Sequence, residues 1–171
     1  AGVVRDVTEH REFERVVTSL HSITPRLLDS EGDLEISSIA VHAAGEVLDL
    51  RVSGVWLLDE ELNRLDPVAA TAGAHEEIGG LPHFPRGEGV VWPAFRRGDP
   101  SLSDDVRELD GPESETPLRS EIVVPIGDHG VLMAGETTPG ALSETDLELA
   151  TILAANTEAA LDRAERDQLL R

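Results

Sequence analysis

Six histidines, at positions 10, 21, 42, 75, 83 and 129, are the residues of this chain best suited to hold a metal or a haem, and their spacing argues against both. A His/Glu metal centre needs three or four ligands converging on one point. No His-x-x-x-His pair occurs. His10, His21 and His42 fall on predicted helices, and His129 falls in a tight turn, where exposure to water accounts for it. Only His75 and His83 lie in an irregular stretch, beside Glu76, Glu77 and Phe84. No metal ligand is expected among them. The 171 residues include no cysteine, which excludes a disulfide, a thiolate nucleophile, Fe–S ligation and a thioether link to a chromophore. No Ser/His/Asp arrangement of recognisable spacing is present, so the chain reads as non-enzymatic, with no catalytic residue. Gly87-Glu88-Gly89 lacks the Lys-Ser/Thr of a phosphate-binding loop, and Glu88 would repel phosphate. Asp104, Asp105, Glu108, Asp110, Glu113 and Glu115 lack the spacing and turn glycine of a calcium loop. They read as a solvated acidic face.

What remains is binding without chemistry. Trp56, Phe84, Trp92 and Phe95 are four of the five aromatic residues. Three of them lie in one irregular insert, at 73–117. They would wall a small-molecule site, or they are the largest fillers of an aromatic-poor core. Arg119 and Glu121 flank the start of a strand, and either could point into the same cavity. Arg119 suits an anionic ligand through bidentate hydrogen bonds, or it forms an ion pair on a sheet edge. The candidate ligand-binding set is Trp56, His75, Phe84, Trp92, Phe95, Arg119 and Glu121. No cofactor can be named.

The elements that must position these residues follow from periodicity. Phe13, Val16, Val17, Leu20, Ile23, Leu27 and Leu28 predict an amphipathic helix over 10–29. Pro25 should kink it, or restart it with Thr24 as N-cap. A second helix starts near Asp33, read as its cap, with Ile36, Ile39, Ala40, Ala43, Val47 and Leu48 on one face. Val52 to Asp59 and Leu65 to Thr71 read as strands around a polar turn at Glu60–Asn63. The 73–117 insert should hold a short helix at Gly89–Arg97 and a short strand at Ser101–Ser103. Ser120–Ile126 and Val131–Glu136 form a second hairpin across Gly127-Asp128-His129-Gly130. Ser143-Glu144-Thr145-Asp146 opens a last long helix as a capping box, with Asp in place of Glu. Hairpins with helices gathered at the ends describe an α+β domain, with an antiparallel sheet of five or six strands. The terminal helices should cover one face and the insert the other.

The chain carries 34 acidic residues against 14 basic ones, all arginine, and a net charge of -20. Such a surface repels itself unless salt screens it, which suits the salt-rich cytoplasm of a halophilic archaeon. It has the wrong sign for a phosphate backbone, so direct nucleic-acid contact is not expected. No apolar run approaches a membrane span and no signal peptide opens the chain, so a cytoplasmic domain is expected.

Two stretches resemble a known family. Arg86-Gly-Glu-Gly-Val-Val-Trp-Pro-Ala-Phe-Arg-Arg-Gly-Asp-Pro, followed by Asp104-Asp105-Val106-Arg107, resembles the central motif of GAF sensory domains. Ser120-Glu-Ile-Val-Val-Pro-Ile-Gly through Gly130-Val-Leu-Met-Ala-Gly, then Leu142-Ser-Glu-Thr-Asp-Leu-Glu-Leu-Ala, resembles that family's last hairpin and closing helix. The resemblance covers 13–165, leaving 1–12 as a linker or the end of a preceding signalling helix and 166–171 as the start of a connector. With the acidic, lysine-free surface, it implies a GAF domain of a haloarchaeal regulator of the bacterio-opsin activator type, acting in signal transduction or transcription regulation. It implies a small-molecule ligand, and a homodimer through the terminal helices. The lysine of the cyclic-nucleotide signature and the cysteine of covalent bilin attachment are both absent. So are the cysteines that GAF-type methionine sulfoxide reductases use. A ligand-free dimerisation module of a histidine kinase or transcription regulator is the alternative.

Overall fold

The apolar stripe near the N-terminus forms a single helix, α1 (Gly2–Asp29), with Leu20 and Leu27 fully buried. The structure, a computed structural model, describes residues 2–87, 89–109 and 116–170. Glu88, Asp110, Glu113 and Glu115, singled out above, lie outside them. α1 runs unbroken through Pro25, so the restart capped by Thr24 is not formed. Leu20 and Leu27 anchor the helix on both sides of the proline, and tertiary packing of that face outweighs the missing backbone bond. The second helix, α2 (Asp33–Glu46), is capped by the extended backbone of Gly32 (φ -135°), not by Asp33. Asp33 stands in the first turn, where its charge meets the positive end of the helix dipole.

Strands β1 (Val52–Asp59) and β2 (Arg64–Ala70) pair antiparallel across a turn closed by Asn63 in the left-handed region (φ 52°), a conformation asparagine tolerates. Thr71 does not extend β2. It turns away to cap α3 (Ala72–Ile78), its hydroxyl accepting from Ala74 N at 3.2 Å. The insert is therefore more regular than its composition suggests. It holds α3, a two-residue β3 (Phe84–Pro85), α4 (Val91–Arg97), β4 (Ser101–Ser103) and a single 3₁₀ turn at Val106–Glu108. β5 (Ser120–Ile126) and β6 (Gly130–Glu136) form the second hairpin. α5 (Glu144–Leu169) starts on a complete capping box: Ser143 Oγ accepts from Asp146 N, and the Asp146 carboxylate accepts from Ser143 N.

The six strands form one antiparallel sheet in the order β3-β2-β1-β6-β5-β4. Side chains alternate across it. Val55, Ile122, Val124, Ile126, Leu132 and Ala134 point to one side and pack with α1, α2 and α5 into the larger core. Trp56, Val123, Val131 and Met133 point to the other, where Val91, Trp92 and Ala94 of α4 close a second core. Ala74 of α3 packs beside Val52 and Leu118. No helix among the described residues is long and apolar enough to cross a membrane.

Candidate functional site

The insert does not seal its face of the sheet. A cavity of about 310 Å³ opens between the centre of the sheet and α3. Its floor is Val52, Gly54 and Trp56 of β1, Met133 and Gly135 of β6, and Glu121 of β5; Ile78, Phe84 and Leu118 form its sides. Two glycines shape that floor. A Cβ on Gly54 would stand 2.8 Å from the Trp56 ring, and one on Gly135 would stand 2.5 Å from Leu118 Cδ1. Glycine in a strand interior often marks such a close approach.

Trp56 is buried, and its indole N–H donates to the Pro82 carbonyl at 2.8 Å. Its ring meets Phe84 with centroids 5.7 Å apart at a tilt of 52°. Trp92 Nε1 donates to the Phe84 carbonyl at 2.7 Å. Between these anchors, His83 Nδ1 stands 2.6 Å from Asp66 Oδ1, which also accepts from Arg64 Nε at 2.6 Å. Partial burial pushes the Asp66 carboxyl up, but the hydrogen bonds with His83 and Arg64 outweigh it and hold the group below its usual range. The segment that walls the cavity is thus fixed by side chains from β1, β2 and α4.

Of the seven residues expected at the site, Trp56, Phe84 and Glu121 line this cavity. The other four stand elsewhere, each for a physical reason. Trp92 is only 3 % exposed and fills the second core, while its edge reaches a separate cleft with Arg86, Arg96 and Arg97. Phe95 packs edge-on against it, at 5.6 Å. His75 is exposed on α3 and faces a groove shared with His42 and Gly45 of α2. The guanidinium of Arg119 folds back on its own chain, donating from Nη1 to the carbonyls of Thr116 and Leu118 at 2.8 Å each. Met133, Ile78 and Leu118 were not anticipated. Gly54 and Gly135, each inside an apolar run, were the available signal.

Glu121 is the one ionisable side chain among the described lining residues, and the rest of the lining is mainly apolar. The cavity therefore offers no set of metal ligands among those residues. It offers apolar contact and one carboxylate. That arrangement can select a small molecule carrying a cationic or hydrogen-bond-donating group.

The model of the family described as GAF domain matches residues 34–162. No protein of curated function matches the chain in sequence. Several solved structures share its fold. A free methionine-R-sulfoxide reductase from Neisseria meningitidis, solved with its substrate, is 23% identical over 86% of this chain and 89% of its own, with a TM-score of 0.73. The GAF domain of a phosphoenolpyruvate-protein phosphotransferase from Coxiella burnetii is 16% identical, with a TM-score of 0.75, over 92% of this chain and 98% of its own. The corresponding domain from Acinetobacter is 20% identical, with a TM-score of 0.73, over 88% and 94%. At these identities the likeness is one of fold.

Proposed function

Because the chain belongs to the GAF domain family, whose members are typically sensory or regulatory, we propose that it is a non-enzymatic sensor binding a small molecule in the cavity between sheet and α3. The observation that carries this reading is the cavity itself: about 310 Å³, mainly apolar, with Glu121 on its floor. The ligand has an apolar body and an amine or other donor group that meets the carboxylate. Reduction of a sulfoxide through a thiolate is not its function, since the chain has no cysteine.

The output runs through the terminal helices in a homodimer. Much of the apolar stripe on α1 and α5, including Leu20, Leu161 and Ala164, is buried within the chain. Leu169 and Leu170 are 82% and 86% exposed at the far end of α5, and these support the dimer contact. A ligand shifts the helix arrangement only by its differential affinity for two states. A net charge of -20 with no lysine supports a halophilic archaeal regulator, of the bacterio-opsin activator type.

Mass spectrometry of small molecules extracted from the domain purified in molar KCl tests the proposal. A stoichiometric compound in the wild type, lost in Glu121→Gln, supports it. An empty extract, repeated after incubation with cell lysate, leaves the second reading: a dimerisation module without ligand, favoured by the exposed Leu169 and Leu170.

A further inference from the structure

His129 and Asp162 lie 33 positions apart in the chain, yet His129 Nε2 stands 2.7 Å from Asp162 Oδ1. His129 occupies the β5–β6 turn, where the main chain is fixed on both sides. Its N–H donates to the Ile126 carbonyl at 3.0 Å, and its own carbonyl accepts from Leu58 N at 2.8 Å. The imidazole is only 21% exposed. Asp162 and Glu165 are three positions apart on α5, on one side of the helix. One donor atom from each of His129, Asp162 and Glu165 lies within 4.8 Å of the other two. Glu158, one turn earlier, borders the same turn: a Cβ on Gly127 would stand 2.6 Å from its carboxyl. Two carboxylates thus stand by one imidazole, and a third, that of Glu158, borders the turn at Gly127. Among the described residues, no arginine pairs with any of them.

We propose that His129, Asp162 and Glu165 form a binding site for one divalent transition-metal ion of the Zn²⁺ kind, tying the β5–β6 turn to the C-terminal part of α5. An ion pair needs only His129 and Asp162; a second carboxylate in reach adds repulsion unless a cation of higher charge sits between them. The donor set is imidazole nitrogen plus carboxylate oxygen, which zinc takes with bonds of about 2.0–2.2 Å, so that tetrahedral ligands stand roughly 3.4 Å apart. Glu165 is exposed and free to close the remaining distance, and water completes the shell. Ligation uses the Nε2 lone pair with the proton on Nδ1, so the bond between His129 and Asp162 is exchanged for two bonds to the ion. Magnesium and calcium, which prefer oxygen donors, gain nothing from the imidazole. The site is invisible to local motif reading because the turn and the helix meet only in the fold.

Isothermal titration of the tag-free protein with zinc chloride tests this. The wild type is expected to bind one ion saturably and to show no response to magnesium chloride. His129→Gln and Glu165→Gln are each expected to weaken binding by at least about tenfold, whereas His83→Gln and Glu158→Gln leave it unchanged. Glu165 is exposed, so its variant keeps the test sound if His129→Gln disturbs the turn. No saturable binding by the wild type, an unchanged isotherm in Glu165→Gln, or loss of binding in His83→Gln overturns the proposal.

Discussion

The indole nitrogens of Trp56 and Trp92 hold the same short segment: one donates to the carbonyl of Pro82 at 2.8 Å, the other to that of Phe84 at 2.7 Å. Two residues that sequence alone offers as equal walls of a pocket have different tasks. Trp56 lies on the cavity floor, and Trp92 pins the wall from within the second core. Trp92→Ala is therefore expected to cost about 3–5 kcal/mol, read by urea unfolding. Trp92→Phe keeps most of the volume and leaves the Phe84 carbonyl without its donor, at about 1–3 kcal/mol. A cost below about 1 kcal/mol for the alanine variant would show that Trp92 is not a core anchor.

Two glycines of β6 should respond differently to the same added methyl. A Cβ at Gly130 would stand 1.9 Å from the Trp56 carbonyl oxygen, which belongs to the paired main chain and cannot yield. Gly130→Ala is expected to destabilise by about 3 kcal/mol or more. At Gly135 the obstacle is the end of the Leu118 side chain, which can turn aside. Gly135→Ala should cost about 1 kcal/mol while narrowing the cavity. Thermal unfolding of both variants ranks them, and the reverse order would refute the assignment.

The start of α5 depends on one hydroxyl. Ser143→Ala removes the acceptor for Asp146 N and is expected to cost about 1 kcal/mol, measured by chemical denaturation. Threonine at the same position should retain most of that stability. Equal losses in both variants would argue against the capping box.

Asp105 should titrate far below an ordinary aspartate. The Arg107 side chain, donating at 2.6 and 2.9 Å, holds its carboxyl down to about 2, against an ordinary 3.8. The folded value lies below the unfolded one, so the pairing favours the fold above pH 3.8 and its contribution disappears as pH falls toward about 2. In a carbon-detected NMR titration, Arg107→Ala should move the Asp105 midpoint up toward 3.8. An unmoved midpoint would assign the depression to another group.

The two hairpins and the last helix are legible because each is a local agreement of signals. Gly127-Asp128-His129-Gly130 sits between two alternating apolar runs, and Ser143 and Asp146 are spaced as a capping pair. α3 was missed because Ala72-Gly73-Ala74-His75-Glu76-Glu77-Ile78 carries too few apolar residues to show a period. Its only announcement is Thr71, which reads equally well as the end of β2. The site was half legible. Trp56, Phe84 and Glu121 could be named from type and position, but Arg119 finds its partners in the carbonyls of Thr116 and Leu118, three residues and one residue back, and no pattern distinguishes a guanidinium that folds back from one that reaches into a cavity. His75 shows the same limit, since the face of a seven-residue helix it occupies is decided by how Ala74 packs against Val52 and Leu118.

Met133 lies on the cavity floor, and its chain neighbours Leu132 and Ala134 lie against the helices on the opposite side. The partition between the two compartments is thus a single thickness of polypeptide, like the skin of a drum. Whatever presses on Met133 displaces the peptide units that also carry Leu132 and Ala134, because the three share consecutive bonds. Under the proposed sensing role, a molecule in the cavity would stand one strand's thickness from the helical layer, with Met133 on its side and Leu132 and Ala134 on the other.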